Sequence, residues 1–348
     1  SPLYMNLPTE LFGFTGEAAP RCIVRSEFWC PSTRCYRRVH DYDTPEELYD
    51  NLVHMLHLLY FRHVLVNPKE RKVVVVESLL TPTLFRETLA KVLFTHYEVN
   101  LRLLLYCEIN DYTLMVHSCV VLHALQSQPL GARTVHAELA RLLDEHNGAP
   151  LNLSEHVIED IKVKTCFVTT RERALQWATD SPPVAARDVT YGCGARGAIC
   201  VPGRARELAA EPLFARDNEL ASLPDAVLQC IALCPIDARR ALAESVLLAG
   251  GGAALPGLKA RLAQELRHLV TQPPYNSRLH IREFKFHSPP AHENACAWVG
   301  GAVLGAGEAG AARALPREHY AREPRLRDWV CLLDNTPPSH PHRDYLDI

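Results

Sequence analysis

An apolar run that ends in three glycines most limits what this chain can fold into. Residues 246–249 are predicted to form a buried strand, and Gly250, Gly251 and Gly252 follow it directly. Pro256-Gly257 then begin a helix with leucines at 258, 262, 266 and 269. A strand, a glycine turn and an amphipathic helix in this order are typical of an α/β layer. Glycine lets a backbone approach a ligand closely, so the turn is either a binding loop or a plain tight connection.

Two common phosphate-binding patterns are excluded at this turn. A Walker loop needs Gly-Lys-Ser/Thr, which does not follow here. Gly250 and Gly252 fit the first part of the dinucleotide fingerprint, but Leu255 stands where its third glycine belongs.

Other segments repeat the alternation of strands and helices. Thr44-Pro45 followed by Glu47 is a helix start, and apolar residues from Leu48 to Leu59 recur at helical spacing. Residues 73–76 are four valines, which predicts a strand buried on both faces. Thr81-Pro82 begins a second predicted helix, whose apolar face is Leu84, Leu89, Val92 and Leu93. Ser154 begins a third, whose apolar face is Val157, Ile158 and Ile161.

Composition narrows the class of protein. The chain has 348 residues, enough for about two domains. Its formal net charge is 37 − 40 = −3, which argues against a nucleic-acid-binding protein that works by bulk charge. Its apolar runs are too short to cross a bilayer. The 12 cysteines are scattered without a C-x-x-C pair, so free thiols in a reducing cytoplasm are predicted, with no metal site.

Five blocks of sequence resemble actin and follow actin's order along the chain. The turn at residues 250–257 resembles actin's adenosine-side loop, and the other blocks are residues 13–21, 158–168, 234–240 and 298–302. The resemblance implies an α/β, two-lobed actin-like fold of duplicated ribonuclease H-like domains. Residues 1–130 and 225–348 would form the large lobes, and residues 131–224 the rest of the third subdomain and the small fourth subdomain.

One branch of the actin superfamily fits better than actin itself. Residues 59–68 and 84–89, and a tail with residues 318–320, 327–329 and 335–338, resemble the actin-related protein 10 family of dynactin's pointed end. This resemblance implies a cytoplasmic, cytoskeletal subunit without nucleic-acid binding or membrane insertion. Its partners would be actin-like filament subunits and the pointed-end subunits of dynactin, and indirectly dynein.

The chain departs from the family at the phosphate site. An actin-fold ATPase holds phosphates between two hairpins rich in Asp and Gly. Residues 1–12 contain neither residue type, and no glycine occurs between Gly16 and Gly131. Either the site has decayed, or the chain is an incomplete copy that lacks core segments, which is favoured because whole strands are missing. We expect no catalytic residues and no ATP hydrolysis; ATP or ADP would bind only if the full-length protein has the hairpins.

The adenosine side is partly kept. By resemblance, the glycines at 250–252 and Leu255 line it, and Lys162 matches a family lysine near the ribose. Alternatively, Lys162 is a solvated helix lysine. Val163 replaces a glutamate and Asn294 replaces a lysine of actin, and both changes weaken nucleotide binding.

The second subdomain is shortened. Only residues 23–43 separate the exit strand from the next helix, whereas actin has a long lobe there that reaches the next protomer. A subunit without that lobe would end a filament; alternatively, the loop is trimmed without consequence. Filament binding is expected near Trp298 and Tyr320. Arg37 and Arg38 are expected on the opposite face, where arginine forks suit an acidic partner.

Three functions remain open from the sequence. The preferred function is a non-catalytic structural subunit that caps the pointed end of dynactin's filament and supports dynein-driven, microtubule-based transport. The first alternative is an actin-fold ATPase whose hairpins are missing only from this copy. The second is a nuclear actin-related protein of a chromatin complex.

Overall fold

The computed structural model describes residues 9–17, 19–30, 33–78, 81–99, 103–108, 115–116, 119–120, 122–193, 197–216, 222–288, 291–307 and 314–326. The chain forms two compact units. Residues 1–109 and 297–348 make up the first unit, and residues 110–296 make up the second. The two ends of the chain therefore share one unit. The finer division expected from the sequence stays a prediction.

Both units contain strands and helices. In chain order they are β1 (Thr9–Phe12), β2 (Cys22–Arg25), β3 (Glu27–Cys30), β4 (Cys35–Arg38), α1 (Pro45–Leu58), β5 (Val73–Ser78), α2 (Thr83–Lys91), β6 (Leu103–Glu108), β7 (Met115–Val116), β8 (Cys119–Val120), α3 (Ala132–Asn147), α4 (Glu155–Thr165), α5 (Arg171–Trp177), β9 (Val189–Gly192), β10 (Ala198–Val201), α6 (Gly203–Leu208), α7 (Leu223–Leu233), α8 (Ile236–Ala243), α9 (Leu258–Leu269), α10 (Cys296–Ala306) and α11 (Arg317–Arg322). β5 and β6 are parallel, and the other described strand pairs are antiparallel.

Local signals at α1 and β5 confirm two sequence predictions. The backbone N–H of Glu47 donates to Thr44 Oγ1 at 3.2 Å, so Thr44 is the N-cap of α1. The predicted apolar positions are all fully buried: Leu48, Leu52, Met55, Leu56 and Leu59. The four valines of β5 are at most 7% exposed, as expected for a strand covered on both faces.

The C-terminal helix α10 packs directly on β5 and β1. Leu11, Val74, Val76, Trp298 and Ala302 form one buried cluster. A methyl group on Gly301 would lie 2.4 Å from Val76 Cγ2, so only glycine allows this close approach. Segments that are far apart in sequence thus build one core in the first unit.

The apolar face predicted for α2 and the turn after it is confirmed at Leu89, Val92 and Leu93, which are at most 3% exposed, and is wrong at Leu84. The helix begins at Thr83, and its second residue, Leu84, is 41% exposed. Phe85 occupies the core instead, at 8% exposure, and stacks on His40 with ring centroids 4.8 Å apart. A short helix with Leu and Phe side by side offers two apolar faces, and tertiary packing selects one.

The predicted buried strand at residues 246–249 is also wrong. Only Val246 forms a bridge, a parallel one to Phe286, and Leu247 is 56% exposed. The N–H of Val246 donates to Lys285 O at 2.9 Å, and the N–H of His287 donates to Val246 O at 2.8 Å. Among the described residues this segment is bonded along one side only, so alternate side chains face solvent.

Two apolar clusters form the core of the second unit. One lies between α3, α4, α6 and the start of α9, and the other between α7, α9 and residues 275–284. The leucines predicted for α9 are confirmed as a core face, with Leu258, Leu262 and Leu266 buried. Ser154 precedes α4 in extended backbone conformation as expected, but its side chain makes no capping bond. Nine cysteines whose side chains are described lie outside any disulfide bond.

Candidate functional site

The glycine turn forms as a tight, exposed connection before α9. Gly250 has φ 95°, a left-handed conformation that favours glycine, and its N–H donates to Glu293 O at 2.8 Å. Residues 251–254 make one 3₁₀ turn. Side-chain atoms added at Gly250, Gly251 or Gly252 would meet nothing within 4 Å. The turn therefore has open space beside it, as a binding loop requires.

The N-terminus of α9 packs against protein backbone. Gly257 has φ 87°, and a methyl group there would lie 2.2 Å from Val168 O. The N–H of Val168 donates to Pro256 O at 2.7 Å. This closeness leaves no room for a ligand between Gly257 and Val168, so Gly257 serves packing.

Lys162 is buried, which contradicts the solvated alternative. Its Nζ lies 2.8 Å from His136 Nε2 on α3, and the two residues are 6% and 5% exposed. Burial lowers the pKa of Lys162, and burial together with the Lys162 charge lowers the pKa of His136. A neutral His136 accepts from Lys162 through Nε2, so its Nδ1 carries hydrogen. That buried Nδ1 lies 3.8 Å from Glu155 Oε1 and has no hydrogen-bond partner.

The residues matched to the adenosine side do not fit a nucleotide well. The ammonium of Lys162 is held by His136, inside the α3–α4 interface. Val163, which replaces a glutamate, is 66% exposed and offers no polar atom from its side chain. Leu255 is partly buried against the α3–α4 core. The turn thus keeps the open space of a binding loop, but Lys162 and Val163 offer it no charged side-chain contact.

A shallow cavity of about 440 Å³ lies beside the turn. Its lining residues are Leu248, Ala253, Lys259, His287, Ser288, Ala291, His292 and Glu293. His287 Nε2 is hydrogen-bonded to Ser245 Oγ at 2.8 Å, and this bond restrains the orientation of the His287 ring. No group of three or more His, Cys, Asp or Glu side chains within the described ranges could hold a metal ion.

The shortened segment at residues 23–43 is a single hairpin of β3 and β4. Trp29 pairs with Tyr36 across the strands, and their rings meet edge to face at 5.4 Å. These side chains are 50% and 68% exposed, so an aromatic pair faces solvent. The sequence did not identify this pair, because the strand register that joins it is a tertiary property.

Arg37 and Arg38 point to opposite faces of the hairpin. Arg38 is opposite Glu27 in register and shares the outer face with Tyr36. Arg37 is opposite buried Phe28, donates to Asp41 O at 3.1 Å and lies 3.9 Å from Glu47. Arg38 is therefore the better placed of the two for an external partner, and Arg37 holds the hairpin to α1.

Trp298 and Tyr320 are core residues. Trp298 is 3% exposed, and Tyr320 is 8% exposed and stacks on Phe94 at 4.6 Å. Because both side chains are buried, they could affect a partner surface only by positioning the exposed residues around them. Their role in filament binding stays a prediction.

One protein family is similar to the second half of the chain. The family model of actin matches residues 152–323, which include α4, the glycine turn and α10. The mixture of strands and helices in both units is consistent with an actin-like α/β fold.

A particular relative is also similar. Actin-related protein 10 of Dictyostelium discoideum is 22% identical over 326 residues, covering 75% of this chain and 67% of that protein. In the described part of the chain, helices are too short or too polar to span a membrane.

Proposed function

We propose that this chain is a non-catalytic structural subunit that caps the pointed end of dynactin's actin-like filament. In this role it supports dynein-driven, microtubule-based transport as part of the cytoplasmic cytoskeleton. The similarity to actin-related protein 10 supports the proposal, since that protein matches most of the chain.

The shortened hairpin carries the proposal. Between β2 and α1, the described residues contain two strands of four residues each, β3 and β4. By resemblance, this is where actin extends a long lobe toward the next protomer. A hairpin this small cannot make that contact, so growth would stop at this subunit while its other face still binds the filament.

The face that carries the hairpin would contact non-actin partners. Trp29, Tyr36 and Arg38 share its outer side, and Trp, Tyr and Arg are the residues enriched at interface hot spots. The opposite face, shaped by buried Trp298 and Tyr320, would contact the filament.

We expect this chain to show no measurable ATP turnover. The interval from Glu17 to Leu130 has no glycine, and Lys162 is bonded to His136. Each missing phosphate donor lowers the rate by about 10²–10³. Phosphate release should be the same for the wild type and for Gly251→Val, whose added Cβ meets no atom within 4 Å. Turnover in the wild type that Gly251→Val abolishes would contradict the proposal and restore the ATPase alternative.

Arg38→Glu should weaken binding to the pointed-end subunits by about ten-fold and leave filament binding unchanged. The expected loss reflects a charge reversal beside an aromatic anchor pair, worth about 1–2 kcal/mol. The measurement is co-purification of both partners with the variant. Arg267→Glu, an exposed arginine on α9, is the matched control. Loss of the filament with retention of the pointed-end subunits would show that the two faces are assigned the wrong way round.

A further inference from the structure

Two apolar side chains stand in solvent just after α1. This helix continues as a π-helical turn, Leu59–Val64, which ends at Leu65. Phe61 is 48% exposed and Leu65 is 74% exposed, although Leu59 and Tyr60 beside them are buried. π-helical turns are rare and are found often at functional sites. The outer side of this turn is therefore a candidate binding surface.

Leu65 has a backbone conformation that a leucine rarely adopts. Its φ and ψ are 54° and 51°, the left-handed region in which glycine normally ends a helix. Among the described non-glycine residues with positive φ, it is the only apolar one; the others are Arg34, Glu98 and Asn152. Glycine would relieve the strain without loss of burial, because the Leu65 side chain is mostly in solvent. Folding alone does not account for leucine at this position.

Arg62 gives the turn a positive charge. Residues 61–65 contain no Asp or Glu, whereas Lys69, further along the chain, pairs with Glu98 at 2.7 Å. Arg62 and His63 are exposed between the two apolar side chains, and the His57 ring lies 4.8 Å from the Phe61 ring. Arginine forks pair well with carboxylates, so the complementary surface carries acidic groups around apolar ones.

We propose that Phe61, Arg62, His63 and Leu65 form a docking surface for an acidic, amphipathic segment of another protein. Phe61 and Leu65 are the apolar anchors, and carboxylates of the partner pair with Arg62. The surface belongs to α1 and its π-helical turn and not to the hairpin, so it adds a partner to those of the proposed function. It stands whether or not the chain caps a filament.

Binding of two synthetic helical peptides to the whole chain tests the proposal. Both peptides carry leucines along one face; one is flanked by glutamates and the other by lysines. Fluorescence anisotropy should show binding of the acidic peptide only. Phe61→Ala should weaken it by about ten-fold or more, the loss typical of an anchor side chain. Arg62→Glu should weaken binding of the acidic peptide and allow the lysine peptide to bind. Leu84→Ala, at another exposed leucine, should change nothing.

Leu65→Gly separates binding from stability. It should raise the Tm by about 2 °C because the backbone strain is removed. It should nevertheless weaken binding of the acidic peptide by about ten-fold. A merely structural role for Leu65 predicts unchanged affinity.

Three results would overturn the proposal. The first is that neither peptide binds, or that both bind equally. The second is that Phe61→Ala and Leu65→Gly leave the affinity unchanged. The third is binding that appears only after removal of residues 327–348, whose sequence contains Asp328, Trp329 and Leu332. That result would assign the surface to the chain's own tail.

Discussion

Arg261→Met should lower the free energy of unfolding of the second unit by about 3–5 kcal/mol. The Arg261 side chain is 4% exposed and joins three parts of this unit. Its Nη1 and Nη2 donate to the two carboxylate oxygens of Glu211 at 2.8 and 2.9 Å, and its Nε donates to Glu265 at 2.8 Å. It also donates to Thr169 O at 3.1 Å and covers the Phe214 ring at 4.5 Å. Methionine fills the space, but it removes the cation that pairs with Glu211 and leaves Glu265 with Arg171 alone, at 3.2 Å.

Denaturant unfolding of the whole chain, with fluorescence of the unit's tryptophan as the probe, measures this loss. Arg267→Met on the same helix is the matched control, because Arg267 is exposed, and its effect should stay within about 0.5 kcal/mol. Equal stability of the two variants would show that the buried network contributes nothing.

Glu207→Gln should destabilise the segment from α5 to α6 by about 3 kcal/mol. The Glu207 side chain is 1% exposed and accepts from Arg173 Nε at 2.6 Å, Trp177 Nε1 at 3.1 Å and Ala186 N at 2.7 Å. Burial raises its pKa, but these donors outweigh burial and hold the pKa below the usual range. Glutamine has the same shape but turns an N–H₂ group toward donors.

The stabilisation that Glu207 contributes to the fold should be lost in acid. A carboxyl group with a depressed pKa stabilises the fold above its usual pKa, and this stabilisation is lost as the pH falls through the folded-state value. Protection factors for hydrogen exchange in residues 171–193 and 197–207, corrected for the intrinsic exchange rate at each pH, should therefore fall in acid for the wild type and be low already at neutral pH for Glu207→Gln. Glu172→Gln, an exposed residue on α5, is the control. Unchanged exchange in Glu207→Gln would contradict this account.

Local signals predicted some elements well. Thr44 and Pro45 mark the start of α1, and four consecutive valines mark β5, because capping and β-branching act within a few residues. The apolar face of α2 was predicted at Leu89, Val92 and Leu93 but not in the first turn, where Leu84 and Phe85 are both apolar and packing buries Phe85. Residues 246–249 look like a central strand in sequence, but whether a second strand covers them depends on distant parts of the chain.

The candidate site was predicted less completely. The glycine turn follows from the sequence, whereas the positive φ of Gly250 is an observation of the structure. The bond from Lys162 to His136 joins residues 26 positions apart on different helices, and no local pattern indicates it. Likewise, the opposite orientations of Arg37 and Arg38 follow from the register of β3 and β4.

Growth at the pointed end of an actin-like filament tests the central proposal most directly. Filament seeds blocked at their barbed ends would be given free subunits, with and without this chain, and their length followed by microscopy. The account predicts that substoichiometric chain stops growth and remains at the free end. Continued growth at the same rate, or incorporation of the chain along the filament, would contradict the account.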